Sequence, residues 1–218
     1  MDFIIAASSA VMALVWVVYF QLFFAQYKRN NRPYLVVHHA QNESLDSLCL
    51  LVNMGTESVH VQCVQAVIQD CDGQSRQLTV TEYERINPQD RNVHEALRQG
   101  PVQAGGYLVL GSFRNILLGR KSRDDESNHL LENIETLEIR VAVIHGPSKR
   151  PVGARRRFVL RGKPNPRIYP YNIHTEQLIR RRDQATVRRW IEEELNPRRV
   201  GGGESDTSTQ SEQQAEAD

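Results

Sequence analysis

Cysteine is scarce in this chain. Only Cys49, Cys63 and Cys71 occur in 218 residues. An odd, unframed set cannot staple a small secreted module, and without a CxxC spacing it offers no zinc knuckle. Three ordinary core or near-surface thiols are expected. Catalytic and cofactor motifs are missing too. The seven histidines do not cluster, and the adjacent His38 and His39 would point to opposite faces of a strand. There is no HExxH, no calcium-loop DxDxDG, no GxSxG elbow, no Walker phosphate loop and no dinucleotide fingerprint. Gly100-Pro101 and Gly105-Gly106 lack the lysine and helix start that a phosphate cradle needs, so they are read as turn glycines. Carboxylates from distant strands could still pair for acid–base work, but Glu82, Glu84 and Asp90 are more simply solvated loop residues. No catalytic residue, cofactor or metal ligand is therefore assigned, and a non-enzymatic protein is expected.

Charge is absent from one stretch altogether. Phe3 to Ala25 reads FIIAASSAVMALVWVVYFQLFFA, with Ser8, Ser9, Tyr19 and Gln21 as its polar side chains. As a helix it spans roughly 30 Å, the hydrocarbon thickness of a bilayer. A secretory signal needs a basic leader and a shorter apolar core; here Met1 and Asp2 precede the run. A retained single-pass anchor over residues 1–27 is the expectation, with Phe3, Val15, Trp16, Phe24 and Ala25 inside it. Lys28, Arg29 and Arg32 follow within eight residues of Ala25. Bases are kept on the cytoplasmic side, so these three place the rest of the chain in the cytoplasm. The unpaired cysteines agree with a reducing compartment. Tyr27, with Tyr19, suits an interfacial belt. Ala6 with Ala10 and Ser9 with Ala13 form small-xxx-small pairs that would permit a homodimer.

Beyond the juxtamembrane linker at 28–33, the chain turns to short strands. The eight residues from Gln26 to Pro33 reach at most about 28 Å, which keeps the domain close to the bilayer. Leu48 to Met54 alternates with period two. Ser58 to Asp70 changes parity between Cys63 and Val64, which predicts a bulge or a strand passing between environments. Asp72-Gly73 predicts a hairpin to a strand at 76–83. A short helix is expected near 87–100, and Gly105-Gly106 leads into a strand ended by a helical turn capped by Ser112. Glu135 to His145 reads as a half-buried strand, with Leu137, Ile139, Val141 and Val143 inward and Thr136, Glu138 and Arg140 toward solvent. Arg155 to Arg161 closes the set. About seven alternating strands without long helices between them predict a mainly β domain at 34–162, an antiparallel immunoglobulin-like β-sandwich. An extended Pro-rich bridge at 163–174 would then lead away to an amphipathic basic helix at 175–196. The stretch 197–218 has no large apolar side chain and reads as a disordered acidic tail.

The near-neutral total charge conceals segregation. Residues 34–113 net −5, residues 145–199 net +10, and residues beyond 200 net −5. Lys149, Arg150, Arg155, Arg156 and Arg157 cluster around one hairpin, and Arg180, Arg181, Arg182, Arg188 and Arg189 lie on the last helix. Three readings compete: a solvated face, contact with anionic lipid headgroups, or contact with an acidic protein. Nucleic acid is disfavoured because aromatic residues are not interleaved with the bases. The leading expectation is a non-catalytic interaction module at the cytoplasmic membrane surface, with the lipid bilayer and a protein of unknown identity as partners. The compact layout suggests a bacterial inner membrane. The alternatives are an extracytoplasmic, periplasmic sandwich in envelope assembly and, third, a membrane-bound enzyme.

Overall fold

The computed structural model describes residues 2–40, 42–80, 99–118, 130–146 and 150–195. It opens with helix α1 (Asp2–Asn30), which carries Asp2 in its first turn and Lys28 and Arg29 in its last. Both ends thus complement the helix dipole. None of its residues is buried, so it is not the core helix of this chain, and it is long and apolar enough to cross a membrane.

The remainder is mainly β. Among the described residues there are ten strands: β1 (Leu35–His39), β2 (Leu48–Asn53), β3 (Val59–Asp70), β4 (Ser75–Thr79), β5 (Gly100–Val102), β6 (Tyr107–Ser112), β7 (Ile134–His145), β8 (Pro151–Arg161), β9 (Arg167–Pro170) and β10 (Glu176–Leu178). Helix α2 (Phe113–Leu118) follows β6, and helix α3 (Arg181–Leu195) follows β10. Every pairing is antiparallel. A three-stranded sheet runs β1-β2-β6, and a seven-stranded sheet runs β10-β8-β7-β3-β4 with β5 also on β3 and β9 also on β8. One core joins the two sheets: Val37, Leu51 and Leu110 from the smaller meet Val64, Ile68, Leu137 and Ile139 from the larger. Phe113 of α2 packs edge-on against Phe158 of β8, with ring centroids 5.0 Å apart.

Several local expectations are met. Leu51 and Asn53 of β2 turn inward, as the alternation requires. In β3 the register with β7 shifts between Val61 and Cys63. Downstream of the shift Val64, Ala66 and Ile68 enter the main core, while Cys63 joins a second cluster with Ala142, Leu178, Val187 and Trp190. The change of parity therefore marks a strand with two different buried faces. Gly73 has φ 77° in the β3–β4 turn, where its N–H donates to the Asp70 carbonyl at 2.9 Å; glycine adopts that backbone without a Cβ penalty. The Asn115 N–H donates to Ser112 Oγ at 3.2 Å, so Ser112 caps α2.

Four expectations need correction. The strand count rises from seven to ten because β5, β9 and β10 are three or four residues long and carry no visible period. The short helix expected near 87–100 is not among these four, because it lies outside the described residues except at its end, where Gly100 opens β5. The bridge at 163–174 does not lead away from the sheets, because Arg167–Pro170 pairs with β8. The last helix begins at Arg181 rather than Thr175. Residues 176–178 are drawn into the edge of β8, and the Arg180 N–H donates to Asp183 Oδ2 at 3.3 Å, the reach-back of a capping box. The outward face of β7 is also not a solvent face: α3 lies across it, Glu138 is buried, and Ala142 is fully buried beside Trp190.

Candidate functional surface

The sheets have two ends, and α1 identifies one of them. The Asn30 carbonyl accepts a hydrogen bond from Thr56 Oγ1 at 3.1 Å, and the Asn31 carbonyl lies 3.0 Å from His145 Nε2. Helix α1 thus leaves the domain at the β2–β3 turn and the end of β7. Strand register brings further residues to this end: Val59 is opposite His145, Ile144 opposite Pro151, Leu35 opposite Asn53, and Val52 opposite Tyr107. Because α1 continues through Asn30, the connection to β1 is shorter than the eight residues read from the sequence, and Pro33 within it is buried.

Asn53 organises this end. It is fully buried, and its amide nitrogen donates to the carbonyls of Glu57 at 2.8 Å, Val102 at 3.0 Å and Gln103 at 3.2 Å. Its side-chain oxygen accepts from the Gly55 N–H at 3.0 Å. One amide therefore ties the β2–β3 turn to β5 and to the turn at Gly105. Gly105, with φ 71°, and Gly106, whose N–H donates to the Gln103 carbonyl at 2.9 Å, build that turn.

The basic residues singled out from the sequence separate into groups. Arg156 is the clear correction. It is buried, and its guanidinium donates to the carbonyls of Val37, Asn172 and Ile173 while lying over the Phe158 ring. Burial pulls its pKa below the usual arginine value. It ties β8 to β1 and presents no charge to a partner. Arg155 is held by Glu176 through bonds of 2.7 and 3.0 Å. Arg157 reaches Glu138 at 3.2 Å and lies over Tyr171. Burial pushes the Glu138 carboxyl upward, but the hydrogen bond and charge of Arg140, the charge of Arg155 and the hydrogen bond of Arg157 outweigh it and hold the pKa below the ordinary value. These arginines build a cross-strand ion network on the larger sheet.

The others stay on the surface. Lys28, Arg29 and Arg32 are exposed at the exit of α1. Arg150 is exposed immediately before Pro151, whereas Lys149 lies outside the described residues. Arg180, Arg181 and Arg182 are exposed at the start of α3, and Arg188 and Arg189 are exposed one to two turns further along. The anchor residues Phe3, Val15, Trp16, Phe24 and Ala25 are all exposed on α1.

The smaller sheet carries features that the residue pattern did not single out. The edge of β1 is closed by side chains. The Leu35 N–H donates to Gln177 Oε1 at 3.1 Å, the Val37 N–H donates to Thr175 Oγ1 at 3.0 Å, and Gln177 Nε2 donates back to the Leu35 carbonyl at 2.6 Å. At the other end of the β1-β2-β6 order, β6 bears no charged residue, and Tyr107 and Val109 are exposed there beside the exposed Leu48 of β2. Only the alternation of β6 hinted at this.

At the opposite end of the sheets a polar groove of about 840 Å³ is lined by Glu43, Asp46, Arg114, Glu132, Asn165 and Arg167 among others. Two ion pairs lie within it, Arg114 with Asp46 at 2.7 Å and Arg167 with Glu43 at 3.8 Å. The Arg114 hydrogen bond holds the Asp46 pKa below its ordinary value. Cys49 and Cys63 are buried free thiols whose pKa values burial raises to about 12, while Cys71 is free and exposed. Among the described residues no three His, Cys, Asp or Glu side chains are grouped to hold a metal ion. No family model, curated protein or solved structure matches the chain.

Proposed function

We propose that the chain is a single-pass protein of a bacterial inner membrane that holds a non-catalytic β domain on the cytoplasmic side as an interaction module. The observation that carries this reading is the exit of α1. An apolar helix with no buried residue ends in Lys28 and Arg29, is followed by Arg32, and is tied within one residue to the β domain. Retention of such bases on the cytoplasmic side supports the orientation. The immunoglobulin-like arrangement belongs to the same reading, supported by two antiparallel sheets around a shared core. The docking role is supported by the uncharged β6 edge with Tyr107 and Val109 exposed, since natural edge strands are commonly blunted by charge. An extended segment of a protein partner could add to that edge. The non-catalytic part rests on the missing motifs and on the two ion pairs within the polar groove.

Paired fusions at Asp218 test the orientation. A fluorescent GFP fusion with an inactive alkaline phosphatase fusion is expected. Active phosphatase with dark GFP would overturn the cytoplasmic assignment in favour of an extracytoplasmic module in envelope assembly.

A further inference from the structure

We propose that the end of the β domain from which α1 leaves is a docking surface for anionic lipid headgroups of the same membrane. The inference rests on the anchored reading above and narrows its basic residues to one site. Three segments distant in sequence bring charge to this end. Lys28, Arg29 and Arg32 come with the helix exit. Arg150 precedes Pro151, which pairs with Ile144 next to His145. Leu178 pairs with Gly153, two residues from Pro151, and β10 runs antiparallel to β8, so the chain returns to the same level at Arg180, Arg181 and Arg182.

Among the described residues, the acids Glu57 and Asp183 at this end have close neighbours. Glu57 lies 3.5 Å from His145, and Asp183 serves the Arg180 N–H and sits 3.6 Å from Arg182. Three arginines at the start of α3 also oppose the positive end of its dipole, so helix stability gives no reason for them. Tyr34, Met54 and Tyr107, respectively 43%, 62% and 68% exposed, stand at the same end. Apolar and aromatic tips beside cationic side chains suit the headgroup boundary of a bilayer. Arg155, Arg156 and Arg157 are excluded by their internal partners. Arg188 and Arg189 lie farther along a helix that runs toward β4, where Thr79 Oγ1 donates to Glu194 at 2.7 Å.

Each base within a Debye length of an anionic leaflet contributes about fivefold to surface association. Loss of the three positive charges of Arg180, Arg181 and Arg182 should therefore cost on the order of a hundredfold in the docked population, and their reversal to Glu more than that. The test is hydrogen–deuterium exchange of the full chain in nanodiscs of phosphatidylcholine alone or of equal parts phosphatidylcholine and phosphatidylglycerol. The expected result is slowed exchange at residues 54–57 and 178–183 only in the anionic discs, abolished by R180E/R181E/R182E and, in the unaltered chain, by high salt. Exchange in β3 and β7 reports whether the variant is folded, and the salt arm decides the matter without it. Equal exchange at 54–57 and 178–183 in both discs would overturn the proposal. Protection in neutral discs that disappears when residues 204–218 are removed would assign the surface to the chain's own acidic tail and overturn it as well. Protection of residues 3–25 in both discs tests the anchor separately, so loss of that protection would count against the anchored reading rather than against the headgroup site.

Discussion

Asn53 shows how one polar residue sets the shape of an end of the molecule. A buried amide is tolerated only when its groups are bonded, and here three carbonyls and one N–H converge on it. Asn53→Ala would leave the carbonyls of Val102 and Gln103 without that donor. A loss of about 2–4 kcal/mol is expected, measured as a lower urea midpoint with unchanged slope. Asn53→Asp should cost a similar amount, because a carboxylate cannot donate to the three carbonyls. Neither consequence could be read from the sequence, in which Asn53 is an unremarkable member of an alternating strand. Arg156 teaches the converse. In the sequence it is one of three consecutive arginines, and its neighbours Arg155 and Arg157 share its chemistry. Strand alternation sends it alone into the interior, where Val37, Asn172 and Ile173 supply carbonyls. That assignment needs the sheet partner, which sequence pattern does not supply.

At the level of elements, α3 is the part whose position was least legible. Its amphipathic stripe was visible, with Val187, Trp190 and Ile191 on one side, but not what the stripe covers. The answer lies in β8, where Gly153 leaves room. A Cβ at Gly153 would stand 2.7 Å from Val187 Cγ2 and 3.2 Å from Trp190 Cζ3. Valine is stiff at its first torsion and cannot yield cheaply. Gly153→Ala should therefore push α3 off the sheet at a cost of about 1–3 kcal/mol. Faster hydrogen exchange confined to 181–195, with β1 and β2 unchanged, would mark the effect. Uniform loss of protection across both sheets would contradict it. By contrast, the long strands were readable because alternation, the Asp-Gly hairpin and the parity change are local signals. Short strands such as β9 and β10 are made by their partner β8, and no window of three or four residues contains that information.

For the whole molecule, the chain order hides a polarity that the fold makes explicit. Lys28, Arg150 and Arg182 are far apart in sequence, yet register and the α1 contacts bring their segments to one end, while Glu43, Asp46 and Glu132 line the other. Segregated charge was visible as composition; its geometry required the strand pairings. In the proposed function, α1 crosses a membrane and holds the β domain on its cytoplasmic side. Cys71 provides a natural reporter, because it is the exposed thiol, in the β3–β4 turn, while Cys49 and Cys63 are buried. Labelling with a membrane-impermeant maleimide, applied to sealed cells and then to permeabilised ones, tests that orientation. No modification is expected in sealed cells, and modification of one thiol after permeabilisation; modification of Cys71 in sealed cells would overturn the cytoplasmic orientation.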